Sequence, residues 1–280
     1  HSFPTRRSSD LANGLREFTR RNAAWPQLDE ARLLYAQSLV MSGEIAAGME
    51  RLDRLIEEIP QGPQAPAARF YRGRAKEALG DFPGAVLEYR SVWEGTPKHE
   101  LAAGAALEEA VLAEKILGNP KRAQEAYARF VELYPQHASL PAVLNHLALM
   151  TEQAGDAAGA IARYREYATR FPGDVGDPAL NGAVAGAAPA LWQAAELARK
   201  TVKDAKAAVE IYQAYEKLPQ ARPGQGFAAA ARIAAAMPEA GDAHALFTQA
   251  IARADDMALR LEHARWLQGK ERADEAAAHS

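Results

Sequence analysis

The side chains that most often perform catalysis are present in this sequence, but not in the spacings that catalysis needs. No two of the histidines are four residues apart, the spacing of a helical zinc site. No serine lies in the glycine-framed turn that exposes a nucleophile, and the glycines form no phosphate-binding loop. The absence of cysteine excludes thiolate catalysis, disulfides and cysteine-bound metals. We therefore expect a protein that is not an enzyme and that has no catalytic residues, no metal ligands and no cofactor.

Adjacent carboxylates are the remaining candidates for acid–base chemistry. Glu57-Glu58 and Glu108-Glu109 are neighbours in sequence, within segments of helical periodicity. Consecutive helical residues point in different directions, so neither pair could act on one substrate atom. The simplest interpretation places all four side chains on solvated helix faces.

Composition narrows the class of protein. Of the 280 residues, 48% are hydrophobic and 25% are charged, which is enough apolar material for a sizeable core. The formal net charge of −3 gives no basic footprint for a nucleic acid. No apolar run reaches the length of a membrane-spanning helix. These totals predict no nucleic-acid partner and no membrane-spanning segment.

The first residues, 1–11, resemble the translation of a common sequencing adapter and not a protein segment. We therefore predict that they are an artefact and exclude them from the fold. Without Arg6, Arg7 and Asp10 the charge count becomes 31 basic against 35 acidic residues, or −4. The native start of the protein is expected to be missing.

A repeated spacing organises the rest of the chain. Steps of 5, 4, 3 and 5 residues recur four times in one frame, and each unit ends in a proline. The units are Gly43-Gly48-Leu52-Leu55-Pro60, Gly80-Ala85-Tyr89-Val92-Pro97, Gly118-Ala123-Tyr127-Phe130-Pro135 and Gly155-Ala160-Tyr164-Tyr167-Pro172. A partial unit, Gly14-Phe18-Arg21-Pro26, precedes them.

Each position of the repeat has a physical role in a pair of helices. The first glycine can end a helix in the left-handed conformation, and the small residue lets the second helix lie close to the first. The next two positions place large side chains on one helical face, and the proline ends the second helix. The pattern therefore predicts helix, turn, helix, repeated along the chain.

This spacing resembles the tetratricopeptide repeat (TPR). The resemblance implies an all-α fold, a right-handed superhelical solenoid of antiparallel helix pairs. The units are slightly longer than the usual repeat, and two end in an aromatic residue and a proline, as in Tyr134-Pro135 and Phe171-Pro172. In both features they resemble the TPR proteins of the bacterial envelope, such as the outer-membrane assembly lipoprotein and the Tol–Pal coordinator. The resemblance mildly favours the periplasm over the cytoplasm.

The domain prediction is one array over residues 12–280. A Gly/Ala-rich segment near 173–188 is the expected insert or hinge. A last first-helix is predicted over roughly Asp256 to Gln268.

In proteins with this repeat, the first helices line a concave groove that binds peptides. Counting back from each closing proline predicts which residues lie on that face. They are Gln37, Phe70, Arg74, Glu77, Glu108, Lys115, Asn145, Glu152, Gln193 and Lys200. This mixture of polar and apolar side chains suits a peptide with hydrogen bonds and a few apolar anchors.

The helix with Phe70 also concentrates four cations, Arg69, Arg72, Arg74 and Lys76. They could bind an acidic partner, although ordinary salt bridges are the simpler interpretation. The leading hypothesis for the chain is a protein–protein interaction scaffold, in the bacterial envelope if the resemblance extends so far. The alternative is a docking or regulatory segment of a larger enzyme or sensor.

Overall fold

The computed structural model describes residues 5–22 and 28–278, with side chains over residues 10–22, 28–179 and 181–273. All regular elements in these ranges are helices. The chain divides into two compact units, His1–His137 (unit 1) and Ala138–Ser280 (unit 2). These features confirm the predicted all-α class.

Unit 1 consists of antiparallel helix pairs that follow the chain. Its helices are α1 Thr5–Arg21, α2 Leu28–Ser42, α3 Ile45–Glu58, α4 Ala65–Ala78, α5 Phe82–Gly95, α6 Ala102–Val111 and α7 Pro120–Leu133. Each helix packs on the next along the chain. The adapter-like stretch supplies the first turns of α1. Its last residue, Leu11, is exposed, whereas the next residue, Ala12, is buried. Pro26 of the partial unit lies outside the described residues.

Unit 2 repeats this arrangement. Its helices are α8 Leu140–Gln153, α9 Ala157–Arg170, α10 Pro178–Asn181, α11 Ala187–Leu197, α12 Ala205–Tyr215, α13 Gln225–Ala236, α14 Ala243–Ala254 and α15 Met257–Ala278. The segment 173–188 contains α10 and a single 3-10 turn, Gly182–Val184. The last helix begins where it was predicted to begin and continues past Gln268.

The turns between paired helices explain the repeated glycine. Gly43, Gly80, Gly118 and Gly155 all have a positive φ, which side chains with a Cβ rarely adopt. The residue after the glycine often caps the second helix: the Asp81 carboxylate accepts a hydrogen bond from the Gly84 amide, and Asp156 accepts one from Gly159. A short sequence signal thus ends one helix and starts the next.

The other repeat positions form the cores. Ala85, Tyr89 and Val92 are fully buried, and the corresponding residues of α7 and α9 are equally inaccessible. In the first of the four full repeats the small residue is Gly48, where a Cβ would lie 2.7 Å from Val40 Cγ2. The small-large-large pattern is therefore the packing pattern of the helix pairs.

Two first helices deviate from regular geometry near their ends. α6 continues into one π-helical turn, Leu112–Ile116, and α11 into another, Ala198–Val202. A π-helical turn contains more residues than an α-helical turn, so it changes which residues share a face.

Candidate functional site

A large cavity lies in unit 2, between α11, α12, α13 and α15. Its volume is about 890 Å³. We call it the unit 2 groove. Its apolar lining includes Trp192, Ile233, Met237 and Leu259, and its basic lining comprises Arg199, Lys203, Arg222 and Arg232. The groove therefore combines a hydrophobic surface with several cations.

The aromatic part of the groove is held by packing between α11 and α12. The Trp192 ring contacts Tyr212 and Tyr215 edge-on, at centroid distances of 4.8 and 5.3 Å. Edge-to-face contacts of this kind fix the orientation of the indole ring. Opposite it, α13 contributes small side chains such as Ala228 and Ala229, which leave the space open.

A buried carboxylate holds the start of α13. Glu216 is only 4% exposed, and its side chain accepts hydrogen bonds from the backbone amides of Gly226 at 2.7 Å and Gly224 at 3.1 Å. An anion at a helix N-terminus satisfies amides that have no partner within the helix. Because a Cβ at Gly226 would lie 2.4 Å from the Tyr212 carbonyl oxygen, only glycine permits this approach. The loop with Arg222 is thereby fixed beside the groove.

Two of the four cations are already paired. The Arg232 guanidinium donates two hydrogen bonds of 2.8 Å to Glu262, and Arg199 lies 2.9 Å from Glu196. Burial would raise the pKa of Glu196, but hydrogen bonds from Arg199, Lys200 and Tyr212 outweigh it and lower that pKa to about 2. Glu196 is therefore an anion at neutral pH.

Lys203 and Arg222 differ from the other two cations. Neither side chain has a carboxylate within ion-pair distance among the side chains that the structure describes. Lys203 also has φ +62°, in a turn where the earlier repeats have glycine. A left-handed conformation costs an ordinary residue roughly 1–2 kcal/mol. An unpaired cation in a strained conformation next to a cavity suggests a role in binding.

In unit 1, the predicted face brings several of its residues into contact. Arg74 of α4 donates a 2.8 Å hydrogen bond to Glu108 of α6. Glu77 accepts one of 2.9 Å from the Tyr89 hydroxyl, and the half-buried Phe70 lies 5.5 Å from the Tyr89 ring. Burial, and secondly the Glu77 charge, raise the pKa of Glu108, while Arg74 lowers it. The remaining predicted residues of unit 1, Gln37 and Lys115, are half-buried and exposed respectively.

Three of the four predicted residues of unit 2 are buried or half-buried, and Lys200 is exposed. Asn145 is fully buried, and its side-chain amide donates to the Val184 carbonyl at 2.8 Å. Its placement on an open face is corrected, because the segment 173–188 covers it. Glu152 and Gln193 are hydrogen-bonded to each other at 2.5 Å, and Lys200 is paired with Glu196.

The four cations of α4 have partners within unit 1. Arg72 bonds to Asp53 and Glu88, and Lys76 to Glu88. Arg69 donates to the Pro60 carbonyl, and Arg74 is paired as described above. This arrangement favours the simpler interpretation, ordinary salt bridges, over an acidic partner at α4.

The expectation that Glu108-Glu109 is solvated is wrong for the second residue. Glu109 is fully buried and accepts hydrogen bonds from Arg90 at 2.5 Å and Trp93 at 2.7 Å. Helical spacing alone does not show which of two adjacent glutamates faces a neighbouring helix.

Counting back from the prolines missed the residues of the unit 2 groove. Trp192 and Glu196 of α11 and Arg199 of the π-helical turn after it line the groove, each one position before a residue on the predicted face such as Gln193 or Lys200. The proline that closes this repeat is Pro219, one position before residue 220, where the earlier spacing would place it, and this accounts for the offset. The sequence does contain a signal for Lys203, since it occupies the turn position at which the repeat predicts glycine.

Two other kinds of site are not present among the described residues. No group of three or more His, Asp and Glu side chains there is placed to share a metal ion. No described helix has the length and apolar character needed to cross a bilayer.

A model of the tetratricopeptide repeat family matches residues 105–137, which cover most of α6 and all of α7. No curated protein matches the chain. Among solved structures, a tetratricopeptide repeat protein from Parabacteroides merdae ATCC 43184 is similar over 92% of each chain, with 13% identity and a TM-score of 0.44. PilW, a widely conserved type IV pilus biogenesis factor, is similar over 81% of this chain and 94% of its own, with 13% identity and a TM-score of 0.38. With the helix pairs and the matched repeat, the fold of the chain is TPR-like, as the sequence predicted.

Proposed function

We propose that this chain is a protein-interaction scaffold and that the unit 2 groove binds an extended peptide segment of its partner. The observation that carries the proposal is the combination of a large apolar cavity with two cations, Lys203 and Arg222, that have no described carboxylate partner. A segment with apolar anchors and an acidic side chain would complement both features.

The groove is built on rigid elements. α13 supplies the largest share of its lining, α11, α12, α14 and α15 contribute further residues, and Glu216 holds the start of α13. A surface formed by preordered helices loses little conformational entropy when a peptide binds. Catalysis is not part of the proposal.

The predicted residues of unit 1 are proposed as a second contact surface. Phe70 offers a half-buried aromatic ring, and the Arg74–Glu108 pair beside it is partly exposed. The envelope location is also a proposal, which rests on the unit length and on the aromatic-proline endings.

Peptide selection against the purified chain tests the groove. From a random library, we expect enrichment of peptides with an acidic residue near large apolar residues. Arg222→Ala should weaken their binding about tenfold, the loss of one charge-assisted hydrogen bond. Lys206→Ala, which removes an exposed cation on α12 outside the groove, is the matched control and should not change the affinity.

Lys203→Gly separates binding from folding. Glycine relieves the left-handed strain, so the variant should be more stable by about 1 kcal/mol in chemical denaturation. The same change removes a cation and should weaken peptide binding severalfold. Peptides that bind both groove variants as tightly as the parent protein would exclude this site.

A further inference from the structure

A second cavity, in unit 1, is lined mainly by arginines. It has a volume of about 560 Å³ and lies between α1, α2 and α3. Its lining includes Arg16, Arg20, Arg32, Arg51, Arg54 and a single carboxylate, Glu58. We call it the arginine cavity. It shares no residue with the unit 2 groove.

Helical spacing explains why the arginines meet. Arg16 and Arg20 are four residues apart on α1, and Arg51 and Arg54 are three apart on α3, so each pair shares a helix face. Arg32 extends from α2 between them. Cations gathered in this way repel one another unless anions are near.

The structure neutralises three of the five guanidinium groups. Arg20 pairs with Glu17, and Arg54 with Glu50. Arg32 contacts both Asp29 and Glu58. These ion pairs are partly exposed and easily rearranged.

The two other guanidinium groups contact neutral groups. Arg16 donates a hydrogen bond of 2.5 Å to the Asn13 side-chain oxygen. Arg51 lies over the Tyr35 ring, 5.6 Å from its centroid. Neither has a carboxylate within ion-pair distance among the described side chains. The five guanidinium groups are set against four carboxylates, Glu17, Asp29, Glu50 and Glu58, so the cavity keeps a net positive charge.

From this charge arrangement we infer that the arginine cavity binds a phosphate group of a small ligand. The planar guanidinium group presents paired donors that match the oxygens of a phosphate. Arg16 and Arg51, which have no carboxylate partner, can both pair with the charge of about −2 on a phosphate monoester, and inorganic pyrophosphate carries somewhat more. Leu28 and Tyr35 are the main apolar side chains of the lining, so an amphipathic peptide would gain little there. The inference does not depend on the proposed function of the unit 2 groove.

Titration with inorganic pyrophosphate, followed by calorimetry and by NMR, tests the inference. We expect saturable binding with shifts confined to α1, α2 and α3, and a higher melting temperature at constant ionic strength. The double variant Arg16→Gln/Arg51→Gln should bind at least about tenfold more weakly, because both cations without a carboxylate partner are lost. Both side chains are exposed, so this variant should keep its helical circular dichroism.

Controls distinguish a site from general attraction to cations. Arg129→Gln removes an exposed arginine of α7, paired with Glu132, and should leave binding unchanged. Vesicles that contain phosphatidic acid distinguish a lipid headgroup from a soluble ligand. Equal affinity for the vesicles and for pyrophosphate would show that the cavity recognises the phosphate group that they share. Tighter binding of pyrophosphate would identify the ligand as soluble. Absence of binding at millimolar pyrophosphate, or equal binding by the double variant, would overturn the inference.

Discussion

At the scale of single residues, the tyrosines of the second helices connect each helix pair. The hydroxyls of Tyr89 and Tyr164 donate 2.9 Å hydrogen bonds to Glu77 and Glu152 of the preceding first helices. Tyr127 donates to Glu114 at 3.2 Å. Burial raises the pKa of these tyrosines, and the nearby carboxylates raise it further, so the hydroxyls remain donors at neutral pH. One residue type therefore both fills the core and orients the glutamates of the first helices.

Glu109 has the most enclosed carboxylate of unit 1. It lies between α5 and α7, and its partners are Arg90, Trp93 and, at 3.5 Å, Arg122. A buried charge of this kind is tolerated only while its hydrogen bonds are complete.

We therefore predict that Glu109→Gln destabilises the protein strongly. The neutral amide cannot compensate two arginines, and we expect a loss of about 2–3 kcal/mol in urea denaturation. Glu108→Gln is the matched control, since its side chain is 33% exposed and burial already penalises its charged form. That variant should cost less than about 1 kcal/mol. Similar losses for the two variants would contradict the structural difference between these neighbours.

Residue-level prediction from sequence succeeded where the signal was repeated. The small and large positions of the four full repeats are buried as expected. Asn145 and Glu109 could not be assigned, because their environments depend on segments distant in sequence or on a neighbouring helix. The arginine cavity was also missed, since its members come from three helices and form no local motif.

At the scale of helices, α14 and α15 meet through a pair of histidines. His244 Nδ1 and His263 Nε2 are 3.0 Å apart, and the His263 ring stacks on Phe247 with centroids 5.0 Å apart. A hydrogen bond between two imidazoles requires a neutral acceptor nitrogen. Burial lowers the pKa of His263, and the charge on His244 lowers it further.

We predict that acidification weakens this contact. Because the pKa of His263 is lower in the folded state, the unfolded state binds the proton first as the pH falls. The contribution to stability is therefore complete above the unfolded pKa of about 6.5 and is lost as the pH falls below it.

Hydrogen exchange measures this effect. After correction for intrinsic rates, amide protection in α14 and α15 should fall between about pH 7 and pH 5. His244→Gln keeps a hydrogen-bonding side chain but removes the second titrating group, so it should reduce the pH dependence. His99→Gln, in unit 1, is the control and should not alter it. Protection that is constant over this range would refute the role of the pair.

Helix positions were largely predictable, because turns and caps are local signals. Gly80-Asp81 and Gly155-Asp156 mark both the end of one helix and the start of the next. The π-helical turns were not predictable from the repeat. The predicted face in α11 was one position out, because the proline of this repeat is Pro219 and not residue 220, where the earlier spacing would place it. The groove was missed for this reason, although the helices that line it were expected.

At the scale of the molecule, the packing contacts are local in sequence. α4 packs on α2, α3 and α5, and the helices of unit 2 likewise pack on near neighbours in the chain. A fold of this kind is stabilised by the sum of adjacent helix contacts and not by one central core. The single array over residues 12–280 remains a prediction, and each of the two units has its own core.

This locality predicts how a packing defect spreads. At Gly73 of α4, a Cβ would lie 2.8 Å from the Tyr89 ring, whose position is fixed by burial and by Glu77. Gly73→Ala should therefore cost about 1–3 kcal/mol. Amide protection should fall most in α4 and α5, and then in α2 and α3, because these helices contact the displaced ring or its helix.

Gly104→Ala is the matched control in the same unit. It lies inside α6, where the added Cβ meets only Phe70 at an ordinary 3.9 Å, so the substitution should stabilise the helix by about 0.5–1 kcal/mol. If Gly104→Ala raises the free energy of unfolding and Gly73→Ala lowers it, backbone entropy determines the effect at Gly104 and steric contact the effect at Gly73. If Gly73→Ala instead reduced protection equally in every helix from α1 to α15, the chain would unfold as one cooperative body. Stability that is summed from neighbouring helix pairs would then be the wrong description of this fold.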